Sequence, residues 1–336
     1  MRNKQFNLFQ CCKPVKGIKK GIIVDLQRKI IHKVPNQILD ILEEYSQKNI
    51  YDLFADFNAS KDILKSYIRY FIDNELVILS DNISEYPALS EDFLSPTVLE
   101  SLSIEIENWT HYLDDFFKIK VNQLGLDAIK IIIKNTDIEC LANVIGSLET
   151  SKVKAVVLYI EYSSDNMLKI EPLILDNPRI LNVVFYNVTQ QINQDVLNEK
   201  FSFDKAATVQ EILYRNTIQD QNSFVLDVNL YHEALKHNLM FNRTLYIDSS
   251  GNIKLHGEDL KIYGNIQKQE ITEIIEHVDF KLFWSIGKDQ TQVCKNCEFR
   301  YICPDNRIPY KESPQEFEYK FKTKCNYDPY QGKWNY

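Results

Sequence analysis

Four cysteines near the end of this 336-residue chain are the residues best placed to do chemistry. The stretch Val293-Cys294-Lys295-Asn296-Cys297-Glu298-Phe299-Arg300-Tyr301-Ile302-Cys303-Pro304 reads C-x2-C-x5-C, and Cys325 follows inside Lys324-Cys325-Asn326-Tyr327. A C-x2-C knuckle turns two thiolates onto one centre. Two further sulfurs complete either a tetrahedral zinc site or the four corners of an iron–sulfur cluster. Only seven cysteines occur in all, and clustering of this kind favours metal over disulfides. The other three, Cys11, Cys12 and Cys140, form no motif by spacing, and adjacent thiols such as Cys11-Cys12 are ordinarily reduced and inert inside a cell.

No P-loop, G-x-G-x-x-G, H-E-x-x-H, G-x-S-x-G or ATP-grasp signature is present, so any ligase step belongs to a partner. The net charge of −8 argues against general nucleic-acid binding, which needs many lysine and arginine contacts to phosphate. The charge is uneven. Residues 1–33 hold nine Lys/Arg (Arg2, Lys4, Lys13, Lys16, Lys19, Lys20, Arg28, Lys29, Lys33) against Asp25 alone, a net +8 that leaves −16 on the remainder. With 44% hydrophobic and 26% charged residues the composition is that of a folded protein, with no membrane span and no signal-peptide apolar region. A cytoplasmic protein is expected.

The elements that must position the cysteines read as three parts. In residues 1–82, two β-rich runs, Gly21-Ile22-Ile23-Val24-Asp25-Leu26 and Lys29-Ile30-Ile31-His32-Lys33-Val34, form a hairpin. A helix follows at 37–46, then an amphipathic helix at 60–74 with Ile63, Leu64, Tyr67, Ile68, Phe71 and Ile72 on one stripe, then a short strand at 76–79. A polar linker spans 80–96. Residues 97–235 alternate strands at 102–106, 128–133, 155–162 and 180–188 with helices at 112–124, 138–148 and 165–175, the pattern of parallel βαβ units. Helices are expected at 208–214 and 228–239. Residues 236–336 carry a second hairpin, 243–248 with 252–255, a helix near 270–277, the cysteines and an aromatic tail. Within that tail Tyr310, Phe317, Tyr319, Phe321, Tyr327, Tyr330, Trp334 and Tyr336 are read as packing around the metal site, and Glu316-Phe317-Glu318-Tyr319-Lys320-Phe321 alternates like a half-buried strand.

The cysteine pattern resembles the SPASM domain of peptide-modifying radical SAM enzymes, which holds two auxiliary [4Fe-4S] clusters on C…G-x4-C, C-x2-C-x5-C-x3-C and a final C. Cys294, Cys297, Cys303 and Cys325 match the second cluster's ligands. The first cluster's are absent: G-x4-C reads Gly251-x4-His256, and the C-x3-C partner is Arg307. His256, and His237 upstream of Gly251, stand where the missing ligands would be and are candidate replacements. The resemblance implies one metal centre, a [4Fe-4S] cluster or zinc. The loop where a radical SAM enzyme carries C-x3-C-x2-C reads Glu107-Asn108-Trp109-Thr110-His111, so no use of S-adenosylmethionine is expected.

More closely, Cys12-Lys13-Pro14-Val15-Lys16-Gly17, Ile23-Val24-Asp25-Leu26-Gln27-Arg28, Asn242-Arg243-Thr244-Leu245-Tyr246-Ile247-Asp248 and Cys297-Glu298-Phe299-Arg300-Tyr301-Ile302-Cys303 resemble the SPASM-domain peptide maturase of grasp-with-spasm systems. Such proteins act beside an ATP-grasp ligase on a ribosomally made precursor peptide. The first segment is also similar to the winged-helix leader-recognition element, in which a leader peptide adds as a strand. The resemblance implies an α/β protein with a winged-helix-like recognition module, a partial parallel (β/α) barrel and a four-cysteine SPASM-like domain. It implies a precursor peptide and an ATP-grasp ligase as partners, and peptide-binding residues Lys19, Lys20, Ile22, Val24, Asp25, Arg28, Tyr67 and Phe71. A metal-dependent peptide-modifying enzyme in its own right and a winged-helix transcriptional regulator with a zinc site are the competing readings.

Overall fold

The structure, a computed structural model, describes residues 4–88, 90–134, 138–149, 151–175, 177–190, 192 and 199–335. Arg2, Leu89 of the linker and Tyr336 lie outside the described residues. The chain forms two compact units. One comprises residues 1–93, 216–239 and 286–336; the other comprises 94–215 and 240–285. These bounds differ from the three consecutive segments expected at 1–82, 97–235 and 236–336. Two strands explain the difference.

The first is β3 (Gly21–Asp25), the middle of an antiparallel sheet ordered β2 (Cys12–Lys16), β3, β4 (Ile30–Val34). Successive side chains of a strand point to opposite faces, yet all five β3 residues are buried. One face, with Cys12, Ile23 and Val34, packs on α1 (Asn36–Glu44), α2 (Ile50–Asp56) and α3 (Lys61–Asp73) through Leu39, Leu42, Leu53, Leu64, Ile68 and Phe71. The other face, Val15, Ile22 and Val24, packs on Phe224, Tyr231, Phe299, Ile302 and Tyr327. The run Gly-Ile-Ile-Val is therefore apolar throughout because the sheet is covered on both sides. A Cβ on Gly21 would stand 2.3 Å from Cδ1 of the buried Leu39, so any side chain there would force Leu39 to shift within the core. β5 (Val77–Ser80) does not join this sheet; it pairs antiparallel with β1 (Gln5–Leu8). That pairing joins strands some seventy residues apart and was not legible locally.

The second decisive strand is β11 (Thr244–Ile247). It pairs parallel with β6 (Ser101–Ile106), so the hairpin assigned to the metal domain belongs instead to the βα unit. The eight-stranded sheet of that unit runs β10 (Phe201–Phe203), β9 (Ile180–Tyr186), β8 (Ala155–Glu161), β7 (Ala128–Ile133), β6, β11, β12 (Asn252–Lys254), β13 (Gly264–Asn265). The pairs from β10 to β11 are parallel, and β12 and β13 are antiparallel. Helices Ile138–Leu148 and Ser164–Leu175 make two of the crossovers. The helix expected at 112–124 is one continuous run whose middle turn, Phe116–Lys120, is π-helical. The helices expected at 208–214 and 228–239 are Val209–Leu213 and Val228–Ala234, and the one near 270–277 is Ile271–Ile275, followed at once by Val278–Trp284.

Residues 316–321 form no strand. Phe317 is 96% exposed, and the segment makes only the isolated bridges Thr291 with Tyr319 and Tyr310 with Lys320. Alternation alone lacked a partner strand to hydrogen-bond. Among the described residues no helix is long and apolar enough to cross a membrane.

Candidate metal centre

All four cysteines of the C-x2-C-x5-C…C pattern line one small cavity of about 30 Å³ in the first unit. Short 3-10 turns at Cys294–Asn296 and Arg300–Ile302 reverse the chain between them, and Val293 enters the first turn at φ 66°, an unfavourable region for a β-branched residue. The β2–β3 turn closes over this loop. Ile18 N donates to Asn296 O at 2.8 Å, Arg300 Nη1 to Lys16 O at 2.7 Å, and Lys20 Nζ to Gly332 O at 3.0 Å. A Cβ on Gly17 would meet Glu298 N at 2.8 Å, so only glycine lets the turn approach so near.

Behind the cysteines sits a charged trio, Lys288, Asp305 and Arg307, that no sequence motif marks. Asp305, 2% exposed, accepts from Lys288 Nζ at 2.9 Å, from Arg307 Nε at 2.9 Å and Nη2 at 2.7 Å, and from the Arg307 amide at 3.1 Å. Arg307 Nη1 also donates to Thr323 O, and both cations stand over the Phe321 ring. Burial alone would depress the Lys288 ammonium, but the Asp305 carboxylate holds it above its ordinary value. Burial would likewise raise Asp305, and the two cations hold it well below the carboxylate range.

Burial pushes the thiols up: Cys303 to about 12, Cys294 above its usual value, Cys297 well above it. Lys288 opposes the shift at Cys294 and Cys303. Buried thiols of this kind stay protonated until a metal deprotonates them, and two cations against one carboxylate leave a net positive wall facing that charge. Arg307, at the position of the missing C-x3-C ligand, thus supplies charge in place of a thiolate.

The donor set fits a metal centre, and its spacing bears on which. Zinc with Zn–S near 2.3 Å holds tetrahedral thiolates about 3.8 Å apart, whereas a four-iron cluster seats each thiolate on a separate iron and so spreads them. Among the described residues the one group of three or more ligand atoms within 4.8 Å of one another is Cys11, Cys12 and Asp25. No three of the four cysteine sulfurs around the cavity all lie within that distance of one another. Beside Cys294 and Cys325 a second cavity of about 430 Å³ is walled by Phe321, Tyr327, Tyr330, Lys320, Lys324 and Arg307.

The candidate replacement ligands belong to different units. His237 lies in the first unit beside Phe93, and His256 lies in the second among Tyr214, Phe241 and Phe283. Of the peptide-binding candidates, Ile22, Val24 and Asp25 are fully buried and Phe71 is 1% exposed, so none presents a side chain at the surface. Lys20 is bound to Gly332 and lies 3.8 Å from Glu298; Lys19 is exposed. Arg28 pairs with Asp25 at 3.0 Å and with Glu75, while Tyr67 is half-buried on α3. Within the basic segment Lys13 also pairs with Glu91, and Lys16 with Asp40 and Glu43.

No family model matches the chain, and no curated protein does. Among solved structures it is similar to Streptococcus suis SuiB bound to S-adenosylmethionine, at 11% identity and a TM-score of 0.36, covering 95% of this chain and 98% of that one. A further structure of Streptococcus suis SuiB (12%, TM-score 0.37) and SuiB bound to its precursor peptide SuiA (11%, TM-score 0.36) are similar over the same shares. S-adenosylmethionine and SuiA are ligands of SuiB.

Proposed function

We propose that this protein takes part in maturing a ribosomally made peptide, by binding the precursor's leader and holding one metal centre on Cys294, Cys297, Cys303 and Cys325. The observation that carries the reading is the convergence of those four cysteines on one cavity with Lys288 and Arg307 behind them. By the resemblance the centre is a [4Fe-4S] cluster or zinc, and it would supply an electron-transfer or structural centre. The ligase chemistry comes from an ATP-grasp partner, as the sequence resemblance implies.

The leader's place is the outer edge of β4. That strand pairs with β3 on one side, and among the described residues its other edge carries no backbone pairing. An extended peptide satisfies such an edge through main-chain hydrogen bonds and reads side chains against a neighbouring helix. The adjoining surface offers Ile30 (46% exposed), Lys33 and, on α3, Tyr70, whose hydroxyl is hydrogen-bonded to His32 Nδ1 at 2.7 Å. Tyr67 lies one turn back on the same helix.

Calorimetry with the full chain and the leader of the precursor encoded beside it tests this. Binding that weakens in Ile30→Asp and Lys33→Glu variants of unchanged stability is expected. Unaltered binding in both removes the edge assignment, and no binding by the parent chain removes the leader role.

A second reading, an enzyme acting at the metal centre, is favoured by the 430 Å³ cavity against Cys294 and Cys325, a size that suits a small substrate. A product formed from the precursor by this chain without the ligase would establish it.

A further inference from the structure

Cys11, Cys12 and Asp25, at the far end of the β2–β3 sheet from the turn that covers the cysteine loop, place three ligand atoms within 4.8 Å of one another. We propose that this group is a second metal site, taking a thiophilic divalent cation of the zinc class with a water in the fourth position.

The geometry is close to what zinc requires. Two thiolates on a tetrahedral zinc with Zn–S near 2.3 Å stand about 3.8 Å apart, and the Cys11 and Cys12 sulfurs are 3.9 Å apart. The third donor comes from across the sheet, where Asp25 is the register partner of Cys12. The backbone fixes all three residues. Cys12 N donates to Phe9 O at 2.8 Å and Leu26 N to Cys11 O at 3.0 Å.

Asp25 is fully buried, and its polar contacts leave room for an ion. Oδ1 accepts from the amides of Gln27 at 3.0 Å and Arg28 at 2.9 Å, and Oδ2 accepts from Arg28 Nη1 at 3.0 Å. A carboxylate has about four acceptor positions, so one remains. Two thiolates and one carboxylate beside one guanidinium sum to −2, which a divalent cation neutralises. Arg28 is itself shared with Glu75. Three protein ligands with one open position is the arrangement of a zinc that keeps a water; Cys11 is only half-buried and leaves that side open. His32, on the next strand, is not among the three ligand atoms that lie within 4.8 Å of one another. The cysteines use none of the spacing that marks the C-terminal centre, and so the site was invisible in sequence.

The test uses the full chain, incubated with zinc alone, freed of loose metal with a weak chelator, and assayed for zinc, iron and reactive thiols in one sample. The parent protein is expected to hold one zinc more than a Cys11→Ser/Cys12→Ser variant and to hide two more thiols when loaded. Should the double variant fail to fold, Cys11→Ser alone, at the half-exposed position, must show the same loss. Equal zinc and equal thiol reactivity in a folded variant overturn the proposal, leaving a weak S–H···S contact between free thiols. Iron reports the C-terminal centre separately, so either site can fail without the other.

Discussion

Replacing Asp305 by Asn keeps its shape and removes the one negative charge between two buried cations. Lys288 lies 2.9 Å and Arg307 2.7 Å from Asp305 Oδ2, and unit charges even 4 Å apart interact by about 4 kcal/mol at an effective dielectric constant near 20. Breaking a buried pair by removing one partner costs about 3–5 kcal/mol, because the remaining charge is left uncompensated. Asp305→Asn is therefore expected to destabilise the metal-free protein by about that much. In the metal-loaded protein the four thiolates would supply negative charge to the same cations, and the loss should be smaller. Urea unfolding read by hydrogen exchange at amides 286–336 isolates the unit concerned. A loss below about 1 kcal/mol in the metal-free protein, no more than an exposed pair contributes, would show that Asp305 does not hold the cations. An equal loss with and without metal would show that the trio and the cysteines are not coupled.

Three further outcomes are expected. The Asp248 carboxylate at the β11–β12 turn, though burial raises it, is held below its ordinary value near 3.8 by the Asn252 amide and side chain and by Lys254. The stability it contributes is thus full above that value and lost as pH falls below it through the lower folded-state value, and acid unfolding of Asp248→Ala compared with the parent should lack this component. A fragment of residues 1–85 bares Val15, Ile22, Val24 and Leu26, each at most 3% exposed in the whole chain, and should bind a hydrophobic dye or associate; a monomeric fragment that binds no dye would contradict the shared core. Anaerobic incubation with dithionite and S-adenosylmethionine should give no 5′-deoxyadenosine above a protein-free control, because Glu107–His111 holds no cysteine.

Local pattern read the parallel strands and their helices well. Ala128–Ile133 and Ile138–Leu148 fall where periodicity puts them, because each buries one continuous stripe within its own βα unit. What escaped depends on distant partners. β1 finds β5 across the whole N-terminal module, and β11 leaves its hairpin's expected domain to extend the parallel sheet through β6. Ile22 and Val24 looked like a peptide-facing surface because nothing in residues 1–85 covers them; their cover, Phe299 and Tyr327, lies more than 270 residues later. The same split divides the site. The cysteines were legible from spacing, whereas Lys288, Asp305 and Arg307 bear no motif and mean something only once the fold buries them together.

The central claim is a metal centre on four cysteines, and anaerobic purification followed by iron, acid-labile sulfide and zinc analysis tests it most directly. The parent protein is expected to carry iron and sulfide in a four-to-four ratio per chain, lost when Cys297→Ser and Cys303→Ser are combined. Metal content that the double substitution leaves unchanged would contradict the assignment.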